Sequence, residues 1–223
     1  MKRKKISLIE LMKKHQFREV KSLLRGKNAF EVEFDRDETD YEGVSLLEYA
    51  IIYKREDIAL LLLDNKYPVH WDFQHEGSKR PSPIGLAVKF GCNRVLAKMI
   101  EQKSYNEVPL RFCLHSRVYD DIPLLVYAVM YENLKAVKIL LEEGVDVGIR
   151  GEKESGALAV AAIKAIYGDD AIFRELLKAI AGLNFKGRLI EEALADLRSY
   201  SALLKHPEDI SRVETILESA AMY

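Results

Sequence analysis

Ser45-Leu46-Leu47-Glu48-Tyr49-Ala50-Ile51-Ile52-Tyr53-Lys54-Arg55-Glu56-Asp57-Ile58-Ala59-Leu60-Leu61-Leu62-Leu63-Asp64-Asn65 is a phrase that the chain writes again at Ser82–Gln102 and at Pro123–Glu143. Aligned on Ala50, Ala87 and Ala128, the three copies need no gap, and Leu62-Leu63 falls on Met99-Ile100 and on Leu140-Leu141. A weaker fourth copy centres on Ala161, so the successive spacings are 37, 41 and 33 residues. A repeat of that length holds two short helices, and neither can bury its apolar face without a neighbouring copy. The pattern therefore predicts a stacked all-α solenoid, and a binding surface before a single-core enzyme.

Within the first copy the local chemistry is that of a helix pair. Asp40 and Gly43 are turn residues, and Ser45 is placed to cap a helix by accepting from its first-turn amides. Leu47, Ala50 and Ile51 follow at the spacing of one helical face. After Lys54-Arg55-Glu56 the chain restarts, with Asp57 a second cap candidate, and runs Ile58–Leu63 as a helix apolar nearly all round. Such a helix is covered by neighbours on both sides. Pro83 and Pro123 stand near the start of their first helices, where a missing amide costs little. Gly91 separates the helices of the second copy and Gly144 stops the second helix of the third. The recurring alanines mark close helix approach, where a larger side chain would overpack.

These residues resemble the ankyrin repeat, whose opening is Asp-x-x-Gly-x-Thr-Pro-Leu-His-x-Ala, followed by a Val-Val-x-Leu-Leu-Leu-x-x-Gly helix. Asp40, Gly43, Ser45, Leu47 and Ala50 match the opening, and Leu134–Gly144 matches the helix. The His place is taken instead by Glu48, Gly85, Val126 and Ala159. The resemblance spans roughly residues 6–184. It implies an ankyrin-type α-solenoid of about six helix pairs with finger loops between repeats. A single domain over 1–223 is expected: an N-terminal capping pair in 1–30, repeats in 31–184 and capping helices in 185–223. The N-terminal pair reads as Ile6–Lys13 and Phe17–Leu24, with Leu11 at the alanine position. Six Lys or Arg between positions 2 and 14 suit the polar outer face of a terminal repeat. The C-terminal pair reads as Arg188–Lys205 and Pro207–Met222, longer than the repeats and poorer fits to them.

Candidate functional residues follow from the register. Tyr53, Phe90 and Tyr131 lie three places past successive alanines. The resemblance puts the end of the first helix on the concave side, where repeats about 10 Å apart would align the rings into a ladder. Aromatic rings are common anchors of interfaces, but the same rings could instead pack between repeats. Finger residues Tyr41, Glu42, Lys79 and Tyr119 offer specificity contacts. The function implied is protein–protein interaction, with affinity from the three rings.

Composition narrows the rest. With 48% apolar and 31% charged residues and a net charge of -1, no overall field favours nucleic acid or an anionic membrane. The apolar runs Ile58–Leu63 and Ala157–Ile163 fall far short of the roughly 20 residues that span a bilayer. No secretory signal is visible, and Cys92 and Cys113 lack metal spacing. A cytoplasmic monomer with a protein partner and no cofactor is the expectation. Proteins that resemble this one also occur as effectors that bacteria send into host cells. The rivals are a self-associating structural protein, pairing through the C-terminal helices, and a metal-dependent enzyme using His70–Glu76. That loop matches no zinc pattern, and Trp71 and Phe73 read better as finger packing. Gly168-Asp169-Asp170 reads as a helix cap, with about three extra residues forming a longer turn in the fourth copy. No nucleophile elbow or phosphate loop is present, and catalysis is not expected.

Overall fold

In the computed structural model, residues 4–26, 32–33, 38–67, 82–102, 122–150, 155–168, 170–201 and 210–222 are described. Among them are twelve helices in six consecutive pairs, and the fold is the all-α solenoid class that the repeat pattern predicts. The chain divides into two compact units, Met1–Leu110 and Arg111–Tyr223.

The first unit contains α1 (Leu8–Lys13), α2 (Phe17–Leu24), α3 (Leu46–Ile52), α4 (Glu56–Asp64), α5 (Pro83–Phe90) and α6 (Asn93–Glu101). α1, α3 and α5 pack side by side as one layer, and α2, α4 and α6 as a second. Two two-residue strands, β1 (Lys4–Lys5) and β2 (Val32–Glu33), pair in parallel. Ile58, Leu62 and Leu96 are fully buried, each contributing about 1.5–3 kcal/mol by removal from water. The apolar helix α4 is flanked by both α2 and α6, which is why it needs no polar face.

Helix starts follow the sequence, with one substitution of role. Ser45 accepts from the Glu48 amide, while the Glu48 carboxylate accepts from the Ser45 N–H at 2.7 Å and its hydroxyl at 2.8 Å. Glu48, standing where the resembling family has His, thus closes a capping box. Ser82 accepts from the Gly85 amide ahead of Pro83. Asp57 is not a cap: Arg55 holds that position in α4, and the Asp57 carboxylate is engaged by Lys21 and Arg55. An ion-pair geometry outcompeted the local amides because two cations converge on one carboxylate.

The first helices end alike. Ala50, Ala87 and Ala128 are fully buried, and their carbonyls accept from the amides of Arg55, Cys92 and Asn133 at 2.7, 2.9 and 3.0 Å. Leu11 receives the same bond from Gln16, which places it at the alanine position as expected, though it is only half-buried in this first pair. This six-to-one closure requires a left-handed residue just before the donor. His15, Lys54, Gly91 and Glu132 fill that place with φ of 57°, 53°, 71° and 54°. Only Gly91 adopts it without a Cβ penalty.

The second unit contains α7 (Leu124–Met130), α8 (Leu134–Glu142), α9 (Ala157–Tyr167), α10 (Ala171–Ile180), α11 (Lys186–Ser201) and α12 (Ile210–Met222). α7, α9 and α11 form one layer, and α8 packs on α10. α12 packs on α11 and also reaches α9, departing from the repeat rule. The extra residues of the fourth copy do not lengthen its turn. They extend α9 to eleven residues against seven in α3, so about one more helical turn is added. Apolar Ile163 and Ile166 continue the helical pattern there, so helix was favoured over loop. Asp170 occupies the position before α10 without capping it through its side chain; its carboxylate pairs with Arg174 at 2.8 Å and Arg212 at 3.8 Å. Asp169 and the Pro207 helix start lie outside the described residues.

Candidate functional site

The finger that precedes α3 is built around one carboxylate. Asp40 accepts from the amides of Glu42 and Val44, each at 2.9 Å, and from the Tyr49 hydroxyl at 2.7 Å. The Gly43 amide donates back to the Asp40 carbonyl at 2.9 Å, with Gly43 at φ 74°, which closes the turn. Lys13, from the end of α1, pairs with the same carboxylate at 3.2 Å. Burial opposes ionisation of Asp40, but these donors outweigh it and hold its pKa at about 2. The Tyr49 phenol is pushed up to about 12 by burial and by the Asp40 charge.

Tyr41 sits at the tip of this pinned turn and is 90% exposed. The Lys13 ammonium lies 5.6 Å from the Tyr41 ring centroid and 5.4 Å from that of Tyr49. Tyr49 in turn stacks on Tyr53, the residue that follows α3, at 5.8 Å and 27°. Tyr53 packs against His15 at 5.0 Å and Phe17 at 5.9 Å, and Arg55 covers Phe17 at 4.5 Å. Tyr41 and Tyr53, named separately from the sequence, are therefore joined by a continuous chain of contacts. Lys13 and Tyr49 are its links. The sequence reading identifies neither: in it Lys13 belongs to the polar outer face. Tyr49 could have been found as the ring four places before Tyr53.

The other candidates are dispersed. Glu42 is exposed beside Tyr41 on the same turn. Phe90 ends α5, half-buried, with the Lys89 ammonium 5.8 Å from its ring. Tyr131 belongs to the second unit, where it follows α7, is 40% exposed and leans on Tyr127 at 4.7 Å. Lys79, Tyr119 and His70–Glu76, with Trp71 and Phe73, lie outside the described residues.

Cys92 is buried, and its thiol points at the Ile51 carbonyl, 3.7 Å away across the α3–α5 contact. Burial, with help from the Glu56 charge, raises its pKa to about 11. Cys113 lies outside the described residues. Among the described residues there is no cluster of three metal-ligating side chains, and no helix is long and apolar enough to cross a membrane.

The ankyrin repeat family model matches residues 119–152, the copy whose second helix is the best preserved. No curated protein sequence matches the chain. Among solved structures, the ankyrin repeat protein EF0377 is similar at a TM-score of 0.62 and 23% identity, over 92% of this chain and 94% of that one. The ankyrin repeat domain of Bcl-3, a member of the IκB protein family, is similar at 0.57 and 18% identity, over 87% of each chain. Residues 119–152 match the ankyrin repeat, and the chain that carries them has the ankyrin-repeat fold.

Proposed function

We propose that the protein is an interaction module that binds another protein on its concave face, through the finger tips and the ends of the first helices. Ankyrin repeats generally serve as protein-interaction modules, and the fold supplies the surface without naming its use. The observation that carries the reading is Tyr41: a large ring 90% exposed on a turn that four donors to Asp40 hold in place. A rigid exposed aromatic binds with little ordering cost, which is what an interface anchor needs. Tyr53, Phe90 and Tyr131 would add affinity along the first-helix ends, and Glu42, Lys79 and Tyr119 specificity from the fingers. The reading takes the chain as a cytoplasmic monomer, with no nucleic acid, membrane or cofactor in its activity.

Affinity capture from native extract, with wild type beside Tyr41→Ala and Tyr131→Ala, tests it. Both rings are exposed enough that their removal leaves the melting temperature nearly unchanged. A protein retained by wild type and lost by either folded variant supports the reading. Identical capture by all three rejects these rings as anchors.

A further inference from the structure

The turns that follow α1 and α3 lie side by side in the first unit and carry a surplus of positive charge. Lys21 and Arg55 converge on the single carboxylate of Asp57, at 2.8 and 3.1 Å, so one acid serves two cations. Arg55 meets part of its remaining demand on the face of Phe17. Asp40, the other buried-side carboxylate here, is occupied by Lys13, Tyr49 and two amides. Lys14 and Lys54 stand exposed in the same two turns, and no carboxylate in the described structure pairs with either. Between these cations the half-buried rings of Phe17 and Tyr53 form an apolar strip with His15.

Lys54 carries a further cost. It holds φ at 53°, where its Cβ is crowded by the backbone and glycine would be free. At the same register His15 uses its side chain to pack on Phe17 and Tyr53, and Glu132 uses its own to pair with Lys164 at 2.7 Å. A cation after a helix C-terminus does favour the helix dipole, but only weakly when exposed to solvent. That gain is at or below the backbone cost, so the dipole alone does not account for lysine there.

We propose that the partner of this face presents an acidic segment, which docks across the turns after α1 and α3. Its carboxylates meet Lys14, Lys54 and Arg55, and its apolar side chains lie on the Phe17–Tyr53 strip. The inference rests on the interaction-module reading and specifies the chemistry of the partner. Charge complementarity of this kind governs encounter and selectivity more than final affinity, so it is sensitive to salt.

The test uses the full chain and a labelled peptide, Glu-Asp-Glu-Phe-Glu-Asp, beside its amide counterpart Gln-Asn-Gln-Phe-Gln-Asn, read by fluorescence anisotropy at two salt concentrations. The acidic peptide is expected to bind at least about tenfold tighter than the amide peptide, and to weaken as salt rises. Lys14→Gln/Lys54→Gln is expected to lose that preference while its melting temperature stays within a few degrees, as exposed substitutions allow. Charge-conserving Lys14→Arg/Lys54→Arg is expected to retain it, which a purely structural role for these residues would not predict. Equal binding of the two peptides overturns the proposal. So does unchanged preference in the Gln variant, or tighter binding of a single-stranded oligothymidylate than of the acidic peptide. If a Tyr41-dependent partner is captured while the acidic peptide does not bind, the inference fails and the interaction-module reading stands.

Discussion

At the scale of single residues, the turn after each first helix shows how the chain trades backbone comfort against side-chain contact. Lys54 and Gly91 hold the same left-handed position in adjacent repeats, and nothing lies within 4 Å of a Cβ built on Gly91. Space is therefore not at issue there; only backbone conformation is. Gly91→Ala is expected to lower stability by about 1 kcal/mol, and Lys54→Gly to raise it by a smaller amount, because glycine's unfolded-state freedom offsets part of the gain. Urea unfolding checks both, and a Lys54→Gly chain less stable than wild type would show that the lysine side chain contributes to folding. The alanine register makes an independent residue-scale case. Ala87 has no exposed surface, and Ala87→Leu is expected to cost about 1–3 kcal/mol by overpacking the α5 layer.

At the scale of elements, two carboxylates tie one hairpin to the next. Asp40 joins the finger to α1 and α3, and Asp57 joins α4 to α2. The Arg55 guanidinium, against some opposition from burial and with help from Lys21, holds Asp57 at about 2, and Asp40 is likewise held at about 2. Both values are depressed below those of the unfolded chain. Their contribution is then complete above about pH 4 and is lost as pH falls toward 2. Asp40→Asn is expected to lower the unfolding free energy from urea titration at neutral pH by about 1–2 kcal/mol after screening by solvent, and to flatten the acid limb between pH 4 and 2. An acid limb as steep as that of wild type would remove Asp40 from the account. The helices themselves were legible in the sequence because capping serines, prolines and the alanine register recur at fixed places. The extension of α9 was not, since an insertion after Ile163 reads equally as loop or helix until its packing is known. The Lys13–Asp40 contact was illegible for another reason: it joins segments distant in sequence, and no periodicity marks such pairs.

At the scale of the whole molecule, each helix of a stack needs a neighbour over its apolar face. In the second unit Leu189, Ile190, Ala193 and Leu197 bury one side of α11, while α12 shows Arg212, Thr215, Glu218 and Ser219 to solvent. Arg150 fastens the segment after α8 to α11 through Asp196 at 2.6 Å and Glu192 at 3.4 Å. A chain ending before Lys186 uncovers the face of α9 that α11 covers, and concentration-dependent association in light scattering is the expected result. A shortened chain that stays monomeric would show that α9 needs no cover. The Cys92 thiol is sealed where α3 meets α5, and with a pKa near 11 it reacts only when that seam parts and water enters. Its alkylation, scored apart from Cys113 by peptide mapping, thus times how often neighbouring repeats breathe, making the chain its own stopwatch.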